Sequence, residues 1–308
     1  MTEIERIIEK GIISEDFLKE ELIDGCEVNT DLKKIWAVLL DLLYEFDKIC
    51  KKYDLKYWLA YGSLIGAVRH KGFIPWDDDL DVFMMRKDYE RLISIASKEF
   101  EHPYFFQTPH TDPGYYFSFA KIRNSNTTGT SKVFAYENYN QGIFLDIFPL
   151  DVSIVEGAQE RYNEIKELIL QNSTNMRIHY PYPDETELLR RKKYCNGENQ
   201  LEIAEKIQKI ASQFDGQISE YVVAGTNTMS PLEKETFPKG AFSDTLYVDL
   251  YGIKAPIPYG YDDVLKSTYG NYMIMPDEND RVWHSNGIFS VDKDYKTLLK
   301  EIKEKDDK

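Results

Sequence analysis

The 308-residue chain predicts an α/β fold of the α+β kind: a mixed sheet with flanking helices, followed by a mainly helical C-terminal half. Two observations predict it. Up to about residue 150, short aromatic or apolar runs alternate with amphipathic segments, as in a small α/β sheet domain. Beyond that point the longer patterned stretches carry apolar residues at helical spacing. The expected division is an N-terminal segment over 1–28, a sheet-containing core over 29–150, and a mostly helical C-terminal region over 151–308 packed on that core.

Asn29-Thr30-Asp31 supply capping residues for a long helix on which Leu32, Ile35, Trp36, Leu39, Leu42, Leu43, Phe46 and Ile49 share a face. That helix is expected to end near Tyr53-Asp54. Tyr57 to Tyr61 reads as a short strand stopped by Gly62, and Ser63 to His70 as a helix. After a turn from Lys71 to Trp76, Leu80 to Met85 is a second strand and Arg86 to Phe100 a helix. Tyr115 to Arg123 and Gly142 to Phe148 are two further strands, the latter ended by Pro149, with a polar loop at Asn124 to Thr130 between them. Residues 156–172, 185–194 and 199–213 read as helices around a Tyr-Pro-Tyr-Pro stretch. A Pro/Tyr/Gly-rich segment, Ile253 to Tyr261, precedes a short helix from Asp262 to Tyr269, and a charged helix closes the chain.

A composition of 42% hydrophobic and 14% aromatic residues can fill a substantial core. The formal net charge of −15 argues against wrapping nucleic acid, whose phosphates demand a basic footprint. Cys26, Cys50 and Cys195 form no C-x-x-C pair, so neither a disulfide framework nor a zinc ribbon is expected. The opening MTEIERIIEKG lacks the apolar core of a signal peptide, and no apolar run approaches the ~20 residues of a membrane span. A cytoplasmic protein is expected, with at most peripheral contact at the inner face of a membrane.

The stretch "PWDDDLDVFM", residues 75 to 84, places four aspartates in five positions and runs straight into an apolar segment. On a strand Asp79 and Asp81 point the same way, about 7 Å apart, and repel unless a cation lies between them. Oxygen-only ligation of this kind suits magnesium or manganese. A D-x-D alone is most often a solvated turn. Here it follows Gly62-Ser63, where a glycine lets backbone approach a phosphate and a helix start offers N–H groups. Strand, Gly-Ser, helix, turn and D-x-D strand, in that order, mark the nucleotidyltransferase superfold. Asp146 in "GIFLDIFPLD" is the candidate third acid, to share the metal or accept the proton of an attacking hydroxyl. Otherwise it is a buried acid paired with a nearby Lys or Arg. Asp151 reads as a helix or turn cap, and Asp77 and Asp78 as turn residues rather than direct ligands. Donor phosphates also need cations. Arg69, His70 and Lys71 close the short helix, and Lys121 and Arg123 share one strand face.

"YGSLIGAVRHKGFIPWDDDLDVFM" resembles the diagnostic segment of the LicD family, bacterial phosphocholine-type transferases related to the fukutin-related phosphoribitol transferases. "GIFLDIFPLD" is similar to the family's second motif, and "IKAPIPYGYDDVLKSTYGNYM" to its C-terminal one, with Asn271 where Asp is usual. The resemblance implies a magnesium-dependent enzyme in which Asp79, Asp81 and Asp146 are the acidic metal-site residues. It implies transfer of a phospho-alcohol, typically phosphocholine from CDP-choline or the alcohol of another CDP-alcohol, with release of CMP. The acceptor would be a sugar hydroxyl of a lipid-linked oligosaccharide or other glycan precursor, such as teichoic acid or lipopolysaccharide. Choline is a quaternary ammonium held well by aromatic faces, for which Tyr57, Trp58, Trp76 and Tyr116 are candidates. Two other enzyme classes share parts of the pattern. A small-molecule nucleotidyltransferase would release pyrophosphate, and a D-x-D glycosyltransferase would release a nucleoside diphosphate. A binding module on an inherited fold is the non-catalytic alternative.

Overall fold

The computed structural model describes residues 1–226, 230–281 and 287–306. Helix α1 (Glu3–Glu9) starts in a reciprocal capping box between Thr2 and Glu5. A small hairpin, β1 (Glu21–Ile23) and β2 (Cys26–Val28), leads to α2 (Thr30–Tyr53). Asn29 caps α2 by accepting the Leu32 N–H, and Asp54 ends it in the left-handed region at φ 51°. The apolar stripe of α2 is buried along its length and carries much of the core. Its Asp41 is fully buried, and Arg6 and Lys10 from the first helical segment each reach it at 2.5 Å. Removing residues 1–10 would leave that carboxylate buried without its cations. Such a deletion is expected to cost about 3–5 kcal/mol in urea unfolding; an unchanged midpoint would make the segment an appendage.

The main sheet has the order β10-β9-β8-β4-β3, with β6 and then β5 joined to the other half of β8. Its strands are β3 (Trp58–Leu59), β4 (Asp81–Met85), β5 (Tyr104–Gln107), β6 (Ala120–Asn124), β8 (Ile143–Ser153), β9 (Tyr221–Val223) and β10 (Thr236–Pro238). Two side pairings flank it: β7 (Thr128–Thr130) with β13 (Ile288–Ser290), and β11 (Thr245–Leu250) with β12 (Ile253–Pro258). Between β3 and β4 runs α3 (Tyr61–Ile65), continued by a π-helical turn over Gly66–His70. The remaining helices are α4 (Arg86–Glu99), α5 (Ala158–Asn175), α6 (Glu185–Tyr194), α7 (Gln200–Ala211), α8 (Tyr261–Tyr269) and α9 (Tyr295–Asp306). None of the helices among the described residues is long and apolar enough to cross a membrane.

Three sequence expectations change. Pro149 does not end its strand: β8 runs on to Ser153. The Asp146 N–H bonds to Leu80 on the β4 side, so by alternation the nitrogen of residue 149 faces the opposite edge. On that edge β6 pairing stops at Ile147 and β9 pairing begins at Asp151, so the missing proline donor falls in the gap. Asp151 is accordingly a strand residue and not a cap. It is fully buried and takes the Arg86 guanidinium on both oxygens, at 2.6 and 2.8 Å. Residues 115–119 lie outside any strand, their aromatic rings packing in part as a satellite core with Tyr139 and Met176.

The C-terminal half is helical over α5 to α7 and then returns to strands. β9 and β10 are three residues each, too short to display alternation, and are held by pairing to β8 and to each other. A boundary at residue 150 falls inside β8. One apolar cluster draws on Ile4 and Ile7, on α2, on the sheet, and on Phe237, Leu265 and Val291.

Candidate active site

The acidic segment is fixed from four sides. Trp36 of α2, fully buried and stacked on Phe73, donates its indole N–H to the Asp77 carbonyl at 2.8 Å. The Ser63 hydroxyl accepts the Asp81 N–H at 2.9 Å, and the Ala60 N–H bonds to the Asp81 carbonyl. The Asp146 N–H holds the Leu80 carbonyl from the other side. Asp81 thus begins β4 pinned between β3 and β8.

Gly62 is required by close approach: a Cβ there would meet the Asp77 Oδ2 at 2.7 Å. Gly66 likewise lies against the Gly72 carbonyl, 2.6 Å from where its Cβ would be. The first glycine therefore makes room for a carboxylate and the second closes the loop that carries it. Gly62→Ala is expected to displace Asp77 and weaken divalent-cation binding at least about tenfold, with a small change in melting temperature. Titration by calorimetry checks it, and unchanged cation affinity would remove Asp77 from the site.

On the sheet, Asp81 is in register with Asp146, and Asp146 with Lys121, so the three side chains form a row on one face across β4, β8 and β6. The Lys121 ammonium donates to Asp146 Oδ1 at 2.5 Å and sits 3.6 Å from the centroid of the Phe144 ring. The pairing named as the alternative for Asp146 is therefore present, and it lies one strand away from Asp81. In front of the row, Asp77, Asp78 and Asp79 place one oxygen each within 4.8 Å of one another.

Asp77, Asp79, Asp81 and Gly62 line a cavity of about 560 Å³. Its opposite wall comes from the C-terminal half: Lys234, Glu235, Thr268 and Tyr269. The Tyr61 hydroxyl donates to Glu235 Oε2 at 2.7 Å, joining the two walls. Burial pushes the Asp77 and Asp81 carboxyls well above the usual carboxylate range, and each is pushed further by Asp79. Asp146 adds to this at Asp81, while Lys121 acts against it. Tyr269 is 43% exposed. Its hydroxyl is nevertheless raised by burial and then by Asp81, Asp77, Glu235 and Asp79.

The structure brings Asp79, Asp81 and Gly62 to the cavity, with Ser63 bonded behind Asp81 and Asp146 and Lys121 beside it. It does not bring Arg69, Lys71 or Arg123 there. Arg69 donates to the Tyr272 and Ile274 carbonyls and so holds the segment after α8. Lys71 is exposed and bonds to the Val68 carbonyl. Arg123, buried, bonds to Gln107 Oε1 and the Gly142 carbonyl. Among the four aromatic candidates, Trp76 lines the cavity. Tyr57 bonds to Asp47, Trp58 to Thr245, and Tyr116 packs beside Met176. Lys234 and Glu235 went unrecognised because, within Glu233-Lys234-Glu235, they read as ordinary alternating surface charge, and Tyr269 because it is a single ring at a helix end. For Tyr269 alone a signal existed, its place inside the C-terminal motif.

A family model described as LicD/FKTN/FKRP, nucleotidyltransferase domain, matches residues 54–188, the stretch that contains α3, the acidic loop, β4, β6 and β8. The lipopolysaccharide cholinephosphotransferase LicD of Haemophilus influenzae is 29% identical over 263 residues, 82% of this chain and 95% of that protein. Residues 54–188 thus match the nucleotidyltransferase domain of the LicD family, and the likeness to LicD runs over most of the chain. Shorter matches reach an uncharacterised protein of Rickettsia prowazekii, 44% identical over 57 residues and 21% of its length. A Rickettsia typhi protein is 46% identical over 50 residues, 16% of its length. A match over 82% of the chain takes in the acidic loop together with Lys234 and Glu235 of the opposite wall.

Proposed function

We propose that this protein is a LicD-type phosphotransferase that moves phosphocholine from CDP-choline to a sugar hydroxyl of a cell-surface glycan precursor, of the lipopolysaccharide or teichoic-acid kind, releasing CMP. The observation that supports it is the cavity itself, lined by both carboxylates and aromatic rings, in a chain aligned with 95% of a lipopolysaccharide cholinephosphotransferase.

The donor set fits a hard divalent cation: all ligating atoms are carboxylate oxygens, and their mutual repulsion in a buried place is what such an ion relieves. Asp77 and Asp79, the two members of the close cluster that line the cavity, would hold magnesium or manganese together with Asp81 on the neighbouring strand, with Asp146 adjoining. Bound there, the ion would neutralise the donor diphosphate and stabilise the attacking and leaving oxygens. Lys234 adds a positive charge from the opposite wall. The ammonium of the alcohol lies against Tyr61, Trp76 and Tyr269, with Glu235 supplying negative charge behind the rings. The acceptor oxygen forms a bond to the phosphorus that bears choline, and the bond from that phosphorus to the CMP oxygen breaks. The hydroxyl proton passes to Asp146, which Lys121 holds in orientation.

The test is to incubate the protein and magnesium with CDP-choline, CDP-ribitol, CDP-glycerol and sugar nucleotides, with and without a glycan acceptor. Acceptor-dependent release of CMP from CDP-choline is expected. Pyrophosphate or a nucleoside diphosphate as the product would replace this reading with one of its rivals. Trp76→Ala is expected to raise KM for CDP-choline about tenfold while leaving KM for CDP-glycerol near its starting value; equal effects on both would place Trp76 outside the choline subsite.

Protons and cation compete for the same oxygens. Burial holds Asp77 and Asp81 toward their neutral forms, so the cation must displace protons, and its affinity falls as pH falls. Saturating manganese should therefore raise the melting temperature at pH 7.5, by the equivalent of about 2.7 kcal/mol at one hundred times Kd, and by much less at pH 5. A thermal shift equal at both pH values would contradict the competition.

A further inference from the structure

Helix α6 is built inside out. A surface helix ordinarily buries its apolar stripe, yet none of the ten residues of α6 is buried. Its inward face is polar. Glu187 pairs with both Arg177 and Arg191, the latter donates to the Arg177 and Tyr180 carbonyls, and the Tyr194 hydroxyl donates to Glu167. At 100° per residue Glu187, Arg191 and Tyr194 fall on one side, and Leu188, Lys192 and Leu189 on the other. The two leucines are 54% and 62% exposed, with Lys192 between them in projection. Just before the helix, Ile178 is 39% and Tyr182 51% exposed. The helix carries four basic residues against two acidic ones, in a chain whose net charge is −15.

We propose that α6, with Tyr182 and Ile178, is a membrane-interface element that lays Leu188 and Leu189 among the acyl chains of an anionic bilayer while Arg190 and Lys192 meet its head groups. The occupant is argued from charge. A locally basic, leucine-bearing face on a strongly acidic protein is complementary to anionic lipid, and the rest of the chain is repelled by it. Tyrosine beside leucine suits the boundary between head groups and hydrocarbon. The ion pairs beneath the helix hold this polarity without apolar packing, so the leucines are retained on the outside. This inference does not rest on the transfer reaction, because it concerns where the protein sits and not what it releases.

The experiment is sedimentation of the full chain with vesicles of phosphatidylcholine alone or with one quarter phosphatidylglycerol, at 0.05 and 0.5 M salt. Binding to the anionic vesicles at low salt is expected, falling with salt and near background on phosphatidylcholine. The double variants L188S/L189S and R190E/K192E should each lower binding at least about tenfold. L188S/L189S should melt close to the temperature of the parent, since both side chains are more than half exposed. Three results would overturn the proposal: no binding to anionic vesicles, binding that both variants leave unchanged, or a size-exclusion shift showing that the leucines close a dimer instead.

Discussion

Asp81→Asn is expected to lower CMP release by about a thousandfold or more while leaving the melting temperature unchanged or raised. The two directions come from one cause. Asp81 is a buried carboxyl crowded by Asp79, Asp146 and Asp77, which makes it costly to the folded chain and well suited to a divalent cation. Asparagine keeps its shape, and the backbone N–H that the Ser63 hydroxyl accepts is untouched. What disappears is the charge. Steady-state rates and differential scanning fluorimetry on the same preparation decide the matter. Activity and melting temperature falling together would make Asp81 a structural residue. The same substitution at Asp79, which stands in the close cluster and lines the cavity, should abolish the manganese-induced thermal shift as well.

Asp151→Ala should cost about 3–5 kcal/mol of stability, a large effect for a residue outside the cavity. Arg86 is buried with its guanidinium forked onto both Asp151 oxygens, and Gln208 of α7 receives a further bond at 2.6 Å. One interaction thus ties α4, β8 and α7 together. Removing the acid leaves a buried guanidinium with Gln208 and the half-exposed Glu90 alone as polar partners, whereas Glu90→Gln, at the exposed end of the same arginine, should change stability by less than about 1 kcal/mol. Urea unfolding of the two variants measures the contrast. Comparable losses would mean that the arginine is stabilised by packing rather than by its forked partner.

Much of the fold was readable where the signal is local. The α2 stripe repeats over more than six turns behind a capping asparagine, and its observed ends lie within a residue of those expected. The acidic run stood out because charge entering an apolar strand demands a compensating partner. Asp151 was misread for the opposite reason. A proline two residues earlier is a local break signal, and only the missing ladder partner at that point of β8 lets the strand pass through it. Arg69 and Arg123 looked like phosphate ligands because a sequence gives their charge but not their partners, which are backbone carbonyls and a glutamine.

By itself the sequence determined where the acids are concentrated, which glycines stand near them, and the order of elements that delivers them. Those are properties of spacing along the chain. Only the tertiary structure decided that Asp77 joins Asp79, that Gly62 yields its Cβ space to a carboxylate, and that Lys234, Glu235 and Tyr269 close the far wall. Those residues lie more than 150 positions from the acids, and what unites them is the packing of α8 against α3 and β10, a long-range contact that no local periodicity encodes.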